Sequence, residues 1–377
     1  MAGAKDIVGI SVPFAAGVAA GAVVLHFLRL PDSRFPVHCA AAILSATIAA
    51  SALATVRTAG NDTPARRLRL AVAGIFMAAG LFCYLNFSML EGIPGPGKPL
   101  LDAAAKASDA LKERIGSIPY PSSSTAPLVK AMLTGDRTGL DRGTTDVFRK
   151  SGASHILALS GLHLGVIYLI MLHLLRPLGN SLRARKVKYL CIILGSGYYT
   201  LMTGASPSIT RAFLFISINE TGKVLGRERD PSGVFLGALT VQLAINPAAI
   251  TTVGFQLSYL AMAGIFFIYP ALERLYPEPG GGPLGKADPL RRIWKAAVMS
   301  VSCQAATAPL AWHYFHSFPR YFIITNLVAL PVTSAVMLLS VATVALSSMG
   351  ICPDWLVSTG DFAVQALLQC LETIASL

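Results

Sequence analysis

Residues 322–346 read FIITNLVALPVTSAVMLLSVATVAL, a run of 25 residues without one charged side chain. A helix needs about 20 predominantly apolar residues to cross a bilayer, so this run predicts a membrane-spanning helix. The whole chain has the same character, because 54% of its residues are hydrophobic and 13% are charged, against about 25% charged in a typical soluble domain. This composition excludes soluble cytosolic enzymes, disordered proteins and disulfide-stapled secreted domains. It predicts an all-α, polytopic helical membrane protein.

Comparable apolar runs recur along the chain and predict about eleven transmembrane segments. Besides 322–346, they lie at residues 7–28, 37–56, 70–90, 156–175, 187–203, 255–272, 293–312 and 356–377, with two weaker runs at 209–225 and 234–245. The first weaker run carries Asn219 and Glu220, which are costly in hydrocarbon, and the second is short. We therefore expect some segments to be broken or re-entrant.

The distribution of Lys and Arg between the loops predicts the orientation, because cytoplasmic loops carry an excess of these residues. With a cytoplasmic N-terminus, the inside loops 57–69, 176–188, 223–231 and 273–295 hold 17 basic residues, and the short outside loops 29–36, 204–208, 246–252 and 315–321 hold three. This bias predicts a multi-pass protein of the cell inner membrane with its C-terminus outside. The inside loops carry +11 of the net charge of +12, so the charge indicates topology rather than nucleic-acid binding.

Composition divides the chain into three regions. Residues 1–90 form an N-terminal membrane region of three spans, residues 91–152 an extracytoplasmic linker, and residues 153–377 a second membrane domain richer in Gly, Pro and buried polar residues. Within the linker, apolar residues from Leu100 to Ile118 recur at steps of three and four, which predicts an amphipathic helix. Such a helix can lie on the outer membrane surface or pack on a neighbouring helix.

The segment 152–165, GASHILALSGLHLG, brings polar residues into a predicted span. Polar side chains in hydrocarbon normally face a bundle interior or a water-filled path, so His155, Ser160 and His163 are candidates for a substrate path. The alternative is a helix contact in which the histidines bond to neighbours. Ser160 and His163 also have the spacing of a hydrolase dyad, but the flanking residues identify no oxyanion donor, and we predict no catalytic residue.

Residues 203–208, TGASPS, predict a turn that starts a helix with Arg211 in its first turns. Helix N-termini bind anions, and a nearby arginine would reinforce such a site. The alternative is that Arg211 snorkels to the membrane interface.

Further polar residues within apolar spans extend the candidate path: Gln256, Ser258, Gln304 and Asn326. Broken helices that meet at polar residues are the usual build of a transport site. The candidate structural breaks are Gly161, Gly165, Gly204, Pro207, Pro309 and Pro331. The chain has no HExxH, GxSxG or P-loop motif, and its six cysteines have no metal or redox spacing, so we expect no enzyme activity, metal or cofactor.

Four blocks of the chain, in this order, resemble the signature of ComEC-type competence proteins. They are residues 133–165, with TGDRTGL, FRKSG and SGLHLG; TGASPS at 203–208 with Arg211-Ala212; Asn246-Pro247 with GFQLSY at 254–259; and TAPL at 307–310 with NLVALP at 326–331. Each block alone is modest, but four in order make a specific match over residues 125–350.

The resemblance implies an inner-membrane channel that takes single-stranded DNA across the lipid bilayer during natural transformation. It also implies DNA-uptake machinery outside the membrane and an ATP-driven helicase inside, with a homo-oligomer as an open alternative to a single chain. The alternative function is a transporter or channel for another polar or anionic solute.

The sequence shows no segment that matches two further domains of the resembled family. Full-length members insert an OB-fold domain outside the membrane after the first spans, and many end in a metallo-β-lactamase-like domain that is thought to degrade one strand. The segment between Glu91 and Leu100 is too short for the first domain, and no such metal motif is present for the second. We therefore expect a separate nuclease partner.

Overall fold

The computed structural model of the protein describes residues 4–28, 64–90, 98–226, 230–276, 289–316 and 321–377. Every regular element within these residues is a helix, and they contain no strand. The all-α class is therefore confirmed. The predicted span 37–56 lies outside the described residues.

The helices are numbered here in chain order among the described residues. They are α1 (Ala4–Leu28), α2 (Pro64–Leu90), α3 (Lys98–Ser117), α4 (Thr125–Thr134), α5 (Arg142–Lys150), α6 (Ser154–Leu157), α7 (Gly161–Leu174), α8 (Leu182–Met202), α9 (Pro207–Val224), α10 (Pro231–Ile245), α11 (Val253–Phe267), α12 (Tyr269–Glu273), α13 (Pro289–Phe315), α14 (Phe322–Ser348) and α15 (Asp354–Ala375). Short 3-10 turns lie at Arg176–Leu178 and Pro247–Thr251.

Two stretches of the described residues are long and apolar enough to cross a membrane. They are Val253–Glu273, which combines α11 and α12, and Phe322–Ser348, which is α14. Shorter apolar helices lie at Ile7–Val23, Leu70–Leu85, Gly161–Leu174 and Pro231–Ile245. Helix covers most or all of each predicted span that falls within the described residues, whereas the number of about eleven crossings stays a prediction.

Three of the expected breaks lie where helices begin or end. Gly161 is the first residue of α7 and follows Ser160, whose backbone is extended. Gly204 has a φ of 78° and lies between α8 and α9, and Pro207 is the first residue of α9. Glycine adopts this left-handed conformation without a steric cost, and proline suits the first turn of a helix because its missing N–H is not needed there.

The other three expected breaks lie inside continuous helices, which corrects the sequence-based interpretation. Gly165 lies within α7, Pro309 within α13 and Pro331 within α14. A proline removes only one backbone donor, and the hydrogen bonds of the flanking turns keep a long helix continuous around it.

The described chain divides into two compact units, and each is considered by itself. The first unit comprises residues 1–98 and 213–256, and the second comprises residues 99–212 and 257–377. In the first unit α1 and α2 pack with their backbones in contact. The backbone oxygen of Met77 occupies the position that a Cβ atom on Gly17 would take, and that of Phe14 does the same at Gly80. Such close approach requires glycine.

The core of the second unit combines the linker with the last two helices. Its fully buried side chains include Ile115, Leu128, Met132, Phe148, Ile156, Met337, Leu367 and Leu371. The predicted amphipathic helix is present as α3, and Leu111 and Ile115 within it, together with Ile118 directly after it, contribute to this core. Of the two arrangements considered for that helix, the structure contains the packed one.

Asp141 fixes the start of α5 in the linker. Its carboxylate accepts a hydrogen bond from the backbone N–H of Thr144 at 3.2 Å, as a helix N-cap does. Hydrogen bonds from Thr144 hold the pKa of the Asp141 carboxyl below its ordinary value. This helix places Phe148 in the core with no exposed surface.

Candidate substrate path

Ser160 and His163 meet at the start of α7. The Ser160 hydroxyl oxygen accepts a hydrogen bond from the Leu162 N–H at 3.3 Å, and the Ser160 N–H donates to Nδ1 of His163 at 3.2 Å. These two bonds form a capping box, which satisfies N–H groups that a helix start leaves without partners. The His163 side chain is fully buried.

The tautomer of His163 follows from this geometry. Because Nδ1 accepts from a backbone N–H, the neutral ring carries its proton on Nε2. That nitrogen is buried and has no hydrogen-bond partner among the described residues. His163 therefore offers an N–H donor inside the protein.

The hydrolase alternative rests on the same pair. The Ser160 hydroxyl lies 3.0 Å from Nδ1 of His163, which is a suitable distance for a nucleophile and its base. The capping box accounts for this distance without any catalytic role, because both side chains are engaged with the backbone of the helix start. His155 makes a different contact, because its Nδ1 lies 3.2 Å from the carbonyl oxygen of Gly152.

The turn between α8 and α9 has an unusual backbone. Gly204 and Ala205 both have positive φ, at 78° and 48°. The Ala205 N–H donates to the Thr200 carbonyl at 2.8 Å, and the Thr210 hydroxyl donates to the Ala205 carbonyl at 3.0 Å. A positive φ at alanine is strained by about 1–3 kcal/mol, so the flanking hydrogen bonds hold a turn that the chain would not adopt alone.

Arg211 lies in the second turn of α9 against the face of Tyr259 from α11. The guanidinium carbon is 5.7 Å from the centre of the tyrosine ring, within the range of a cation–π contact. Nη1 of Arg211 is buried and has no hydrogen-bond partner among the described residues. Within the same part of the chain, no carboxylate forms an ion pair with this arginine.

Further contacts join α9 to α11 and to the start of α7. The Ser258 hydroxyl donates to the Ser208 hydroxyl at 3.3 Å. A Cβ atom added at Gly161 would lie 3.5 Å from Cβ of Ala212. The structure therefore brings Ser160, His163, Arg211 and Ser258 into one region of the second unit.

The remaining predicted path residues are placed elsewhere. Gln256 belongs to the first unit, where its side-chain amide donates to the Ile250 carbonyl at 2.8 Å. Asn326 lies in the first turns of α14, and its Oδ1 is buried without a partner among the described residues. Gln304 lies within α13, where its carbonyl oxygen is 3.4 Å from the Thr307 hydroxyl.

Asp361 makes polar contacts that the sequence did not predict. This acid is 7% exposed in α15 and accepts hydrogen bonds from the Ser122 N–H at 3.2 Å, the Ser122 hydroxyl at 2.8 Å and the Thr125 hydroxyl. Gln365, one turn later, donates to the Ser124 hydroxyl at 3.0 Å. An acid within the apolar run 356–377 was the available signal, because such residues are usually paired or functional.

A cavity of about 630 Å³ lies beside these contacts. Its polar lining comprises Ser123, Ser124, Asp141, Thr144, Gln365, Gln369 and Glu372, and its apolar lining comprises Pro127, Leu140 and Leu368. The described residues contain no group of three His, Cys, Asp or Glu side chains that could hold a metal ion.

Comparisons with known proteins give a consistent family. A family model described as Competence protein matches residues 132–377. The chain is 26% identical to ComE operon protein 3 of Bacillus subtilis over 54% of its length, 24% identical to the uncharacterized protein YcaI of Escherichia coli over 57%, and 26% identical to the competence protein ComA of Neisseria gonorrhoeae over 54%. These matches cover 24%, 28% and 28% of the relatives. No solved structure matches the chain.

Proposed function

The chain belongs to the competence protein family, and from that premise we propose that it forms an inner-membrane channel for single-stranded DNA. Two of its relatives are named for competence or for the ComE operon. The observation that carries the proposal is the grouping of Ser160, His163, Arg211 and Ser258 from three helix starts in an otherwise apolar protein.

Arg211 supports a route for phosphate groups. A buried guanidinium nitrogen without a partner is costly, and an incoming anion or water would remove that cost. The Tyr259 ring lies 5.7 Å from the guanidinium carbon, and Nη1, which has no partner among the described residues, can donate a charge-assisted hydrogen bond to a phosphate oxygen. Because one arginine holds a phosphate weakly, successive phosphates of a strand can bind and leave.

His163 complements this cation. Its Nε2–H is a neutral donor, and a neutral donor adds a hydrogen bond to a phosphate without a second fixed charge. A strand with one negative charge per nucleotide therefore meets polar groups but no deep electrostatic trap.

The topology and partners form part of the same proposal. The apolar runs predict about eleven crossings, and the loop charges predict a cytoplasmic N-terminus and an outer C-terminus. DNA-uptake machinery would deliver the strand outside, an ATP-driven helicase would pull it inside, and a separate nuclease would degrade the complementary strand. The protein itself would carry no enzyme activity.

The experiment compares transformation by marked DNA in cells that carry single variants. Arg211→Gln and His163→Leu should each lower the transformation frequency at least several-fold, because each variant removes one strong hydrogen-bond donor. A donor worth on the order of 1.4 kcal/mol or more corresponds to about a factor of ten, which is the loss expected for Arg211. Arg142→Gln is the matched control, because Arg142 is exposed in the linker. Protein abundance is measured in parallel.

Normal transformation in both variants at normal abundance would remove Arg211 and His163 from the path. The second candidate function, transport of another anionic solute, is supported by the same Nη1 of Arg211, which has no partner among the described residues, since a guanidinium recognises any small oxyanion. Proteoliposomes separate the two: uptake of inorganic phosphate without uptake of a short single-stranded oligonucleotide would favour the second candidate.

A further inference from the structure

The linker contacts helices α14 and α15 at two places, which lie towards opposite ends of this helix pair. At one end, the Thr325 hydroxyl in the first turn of α14 donates to the Ser151 carbonyl at 2.6 Å. Towards the other end, the Asp361 carboxylate, two turns from the start of α15, accepts a hydrogen bond from the Ser122 hydroxyl at 2.8 Å. Ser151 and Ser122 both belong to the linker that the sequence places wholly outside the membrane.

The separation of these two contacts is comparable to the thickness of a membrane. The helix α14 has 27 residues and is therefore about 40 Å long at 1.5 Å per residue. The hydrocarbon core of a bilayer is about 30 Å thick. If α14 crosses the membrane, as its length and apolar character allow, Ser151 and Ser122 cannot both lie on the outer side.

Helices α3 and α4 are joined by residues 118–124, and we call residues 119–124 the tip of the hairpin. Near its open end Nζ of Lys112 lies 3.7 Å from a carboxylate oxygen of Asp136. The Tyr199 hydroxyl donates to the Leu133 carbonyl at 3.0 Å near the same end. The ten residues of α4 span about 15 Å, so the tip at residues 119–124 lies about 15 Å from this end along α4.

The tip is polar, and the last helix binds its serines. Asp361 accepts from the backbone and hydroxyl of Ser122 and from the Thr125 hydroxyl, while Gln365 donates to Ser124. Asp361 lies only two turns from the start of α15, near the end that contains Cys352. Polar groups persist at membrane depth only when neighbouring protein groups or water satisfy them.

We infer that residues 98–134 form a re-entrant hairpin whose tip is anchored by Asp361 in the inner half of the membrane. The adjoining cavity is then a hydrated part of the transport route. This inference rests on the proposed membrane channel and adds the hairpin to the lining of that channel. The cavity of about 630 Å³ has room for about 20 water molecules at about 30 Å³ each. Its lining of Ser123, Gln369 and Glu372 would keep such water hydrogen-bonded.

Thiol labelling of intact cells measures the depth of the tip. The probes are a bulky impermeant maleimide and a small charged methanethiosulfonate, applied from outside to single-cysteine variants in a background without other cysteines. Ser123→Cys should react with the small reagent at least tenfold faster than with the bulky one, after normalisation to their rates with a free thiol. Asp102→Cys, exposed near the start of α3, is the matched control and should react with both.

Two results would overturn the inference. If the maleimide labels Ser123→Cys as fast as Asp102→Cys, the tip lies outside the membrane. If neither reagent labels Ser123→Cys in protein that folds normally, the cavity is not hydrated.

A second set of variants tests Asp361 as the positioning residue. Asp361→Leu removes the carboxylate that accepts hydrogen bonds from Ser122 and Thr125. The bulky reagent should then label Ser123→Cys nearly as fast as it labels the control. Asp361→Asn keeps one acceptor oxygen and should give an intermediate rate, which also preserves the test if the leucine variant does not fold. Asp354→Asn, an exposed acid at the start of the same helix, should change nothing.

Unchanged labelling of Ser123→Cys in folded Asp361→Leu and Asp361→Asn proteins would exclude the anchor. The labelling does not depend on DNA, so it can succeed while transformation of the Arg211 and His163 variants fails to change, or the reverse. The two proposals therefore fail separately.

Discussion

In the first unit, α1 and α2 are so close that the Phe14 carbonyl fills the position of a Cβ atom on Gly80. In the second unit, polar side chains join segments that are far apart in the sequence, as when Asp361 binds Ser122, 239 residues away. The first kind of contact needs the absence of a side chain, whereas the second needs one specific chemical group. The two units should therefore differ in which substitutions they tolerate.

The largest expected effect is in the first unit. Gly80→Val places a branched side chain against backbone atoms of Phe14 and Val18, which cannot move as a flexible side chain can. We expect a loss of at least about 3 kcal/mol in the free energy of unfolding, since overpacking against a rigid neighbour is costly. Unfolding of the purified protein, followed by circular dichroism, measures this loss.

Gly9→Ala on α1 is the matched control for Gly80→Val. No atom lies within 4 Å of the added Cβ at this position, and alanine favours a helix over glycine by up to about 1 kcal/mol. The control should be neutral or stabilising. If both variants behave alike, backbone proximity does not hold the first unit together.

An intermediate effect is expected from one polar contact of the second unit. Thr325→Val keeps the shape of the side chain but removes its hydrogen bond to the Ser151 carbonyl. Loss of a buried bond that leaves an acceptor without a partner costs about 1–3 kcal/mol. The same unfolding measurement applies.

Thr373→Val is the control for Thr325→Val, because the exposed Thr373 hydroxyl donates within its own helix, to the Gln369 carbonyl at 2.8 Å. A change of less than about 0.5 kcal/mol is expected for this surface position. Equal losses at positions 325 and 373 would mean that the long-range bond contributes nothing beyond valine's poorer fit in a helix.

The smallest effect is expected at a helix cap in the linker. Asp141→Ala removes the acceptor of the Thr144 N–H and should lower the free energy of unfolding by about 1 kcal/mol, while Asp141→Asn keeps an acceptor and should cost little. Native-state hydrogen exchange at residues 142–146 reports the local change. A loss at asparagine as large as at alanine would show that the charge of Asp141, rather than its cap, stabilises this segment.

Most helices of the protein were predictable from its residues. Apolar runs of sufficient length gave the long helices, and the spacing from Leu100 to Ile118 gave α3. The prediction was wrong where it assigned breaks to Pro309 and Pro331, because a long helix retains enough hydrogen bonds to continue through one missing donor.

The candidate site was predictable only in part. The residues Ser160, His163, Arg211 and Ser258 stand out as polar groups in apolar surroundings, and the structure brings them together. Gln256 stands out for the same reason but belongs to the other unit. Polarity marks a residue as constrained, but a one-dimensional pattern does not state which helices pack side by side.

The sequence by itself determined the all-α class, the family and the local starts of helices, because these depend on composition, short blocks and spacing within one element. Only the tertiary structure decided that the linker packs into the core, that Asp361 binds the serines of the linker, and that Arg211 lies on Tyr259. These contacts join residues tens to hundreds of positions apart. Their formation depends on the packing of whole helices, which no local pattern of side chains specifies.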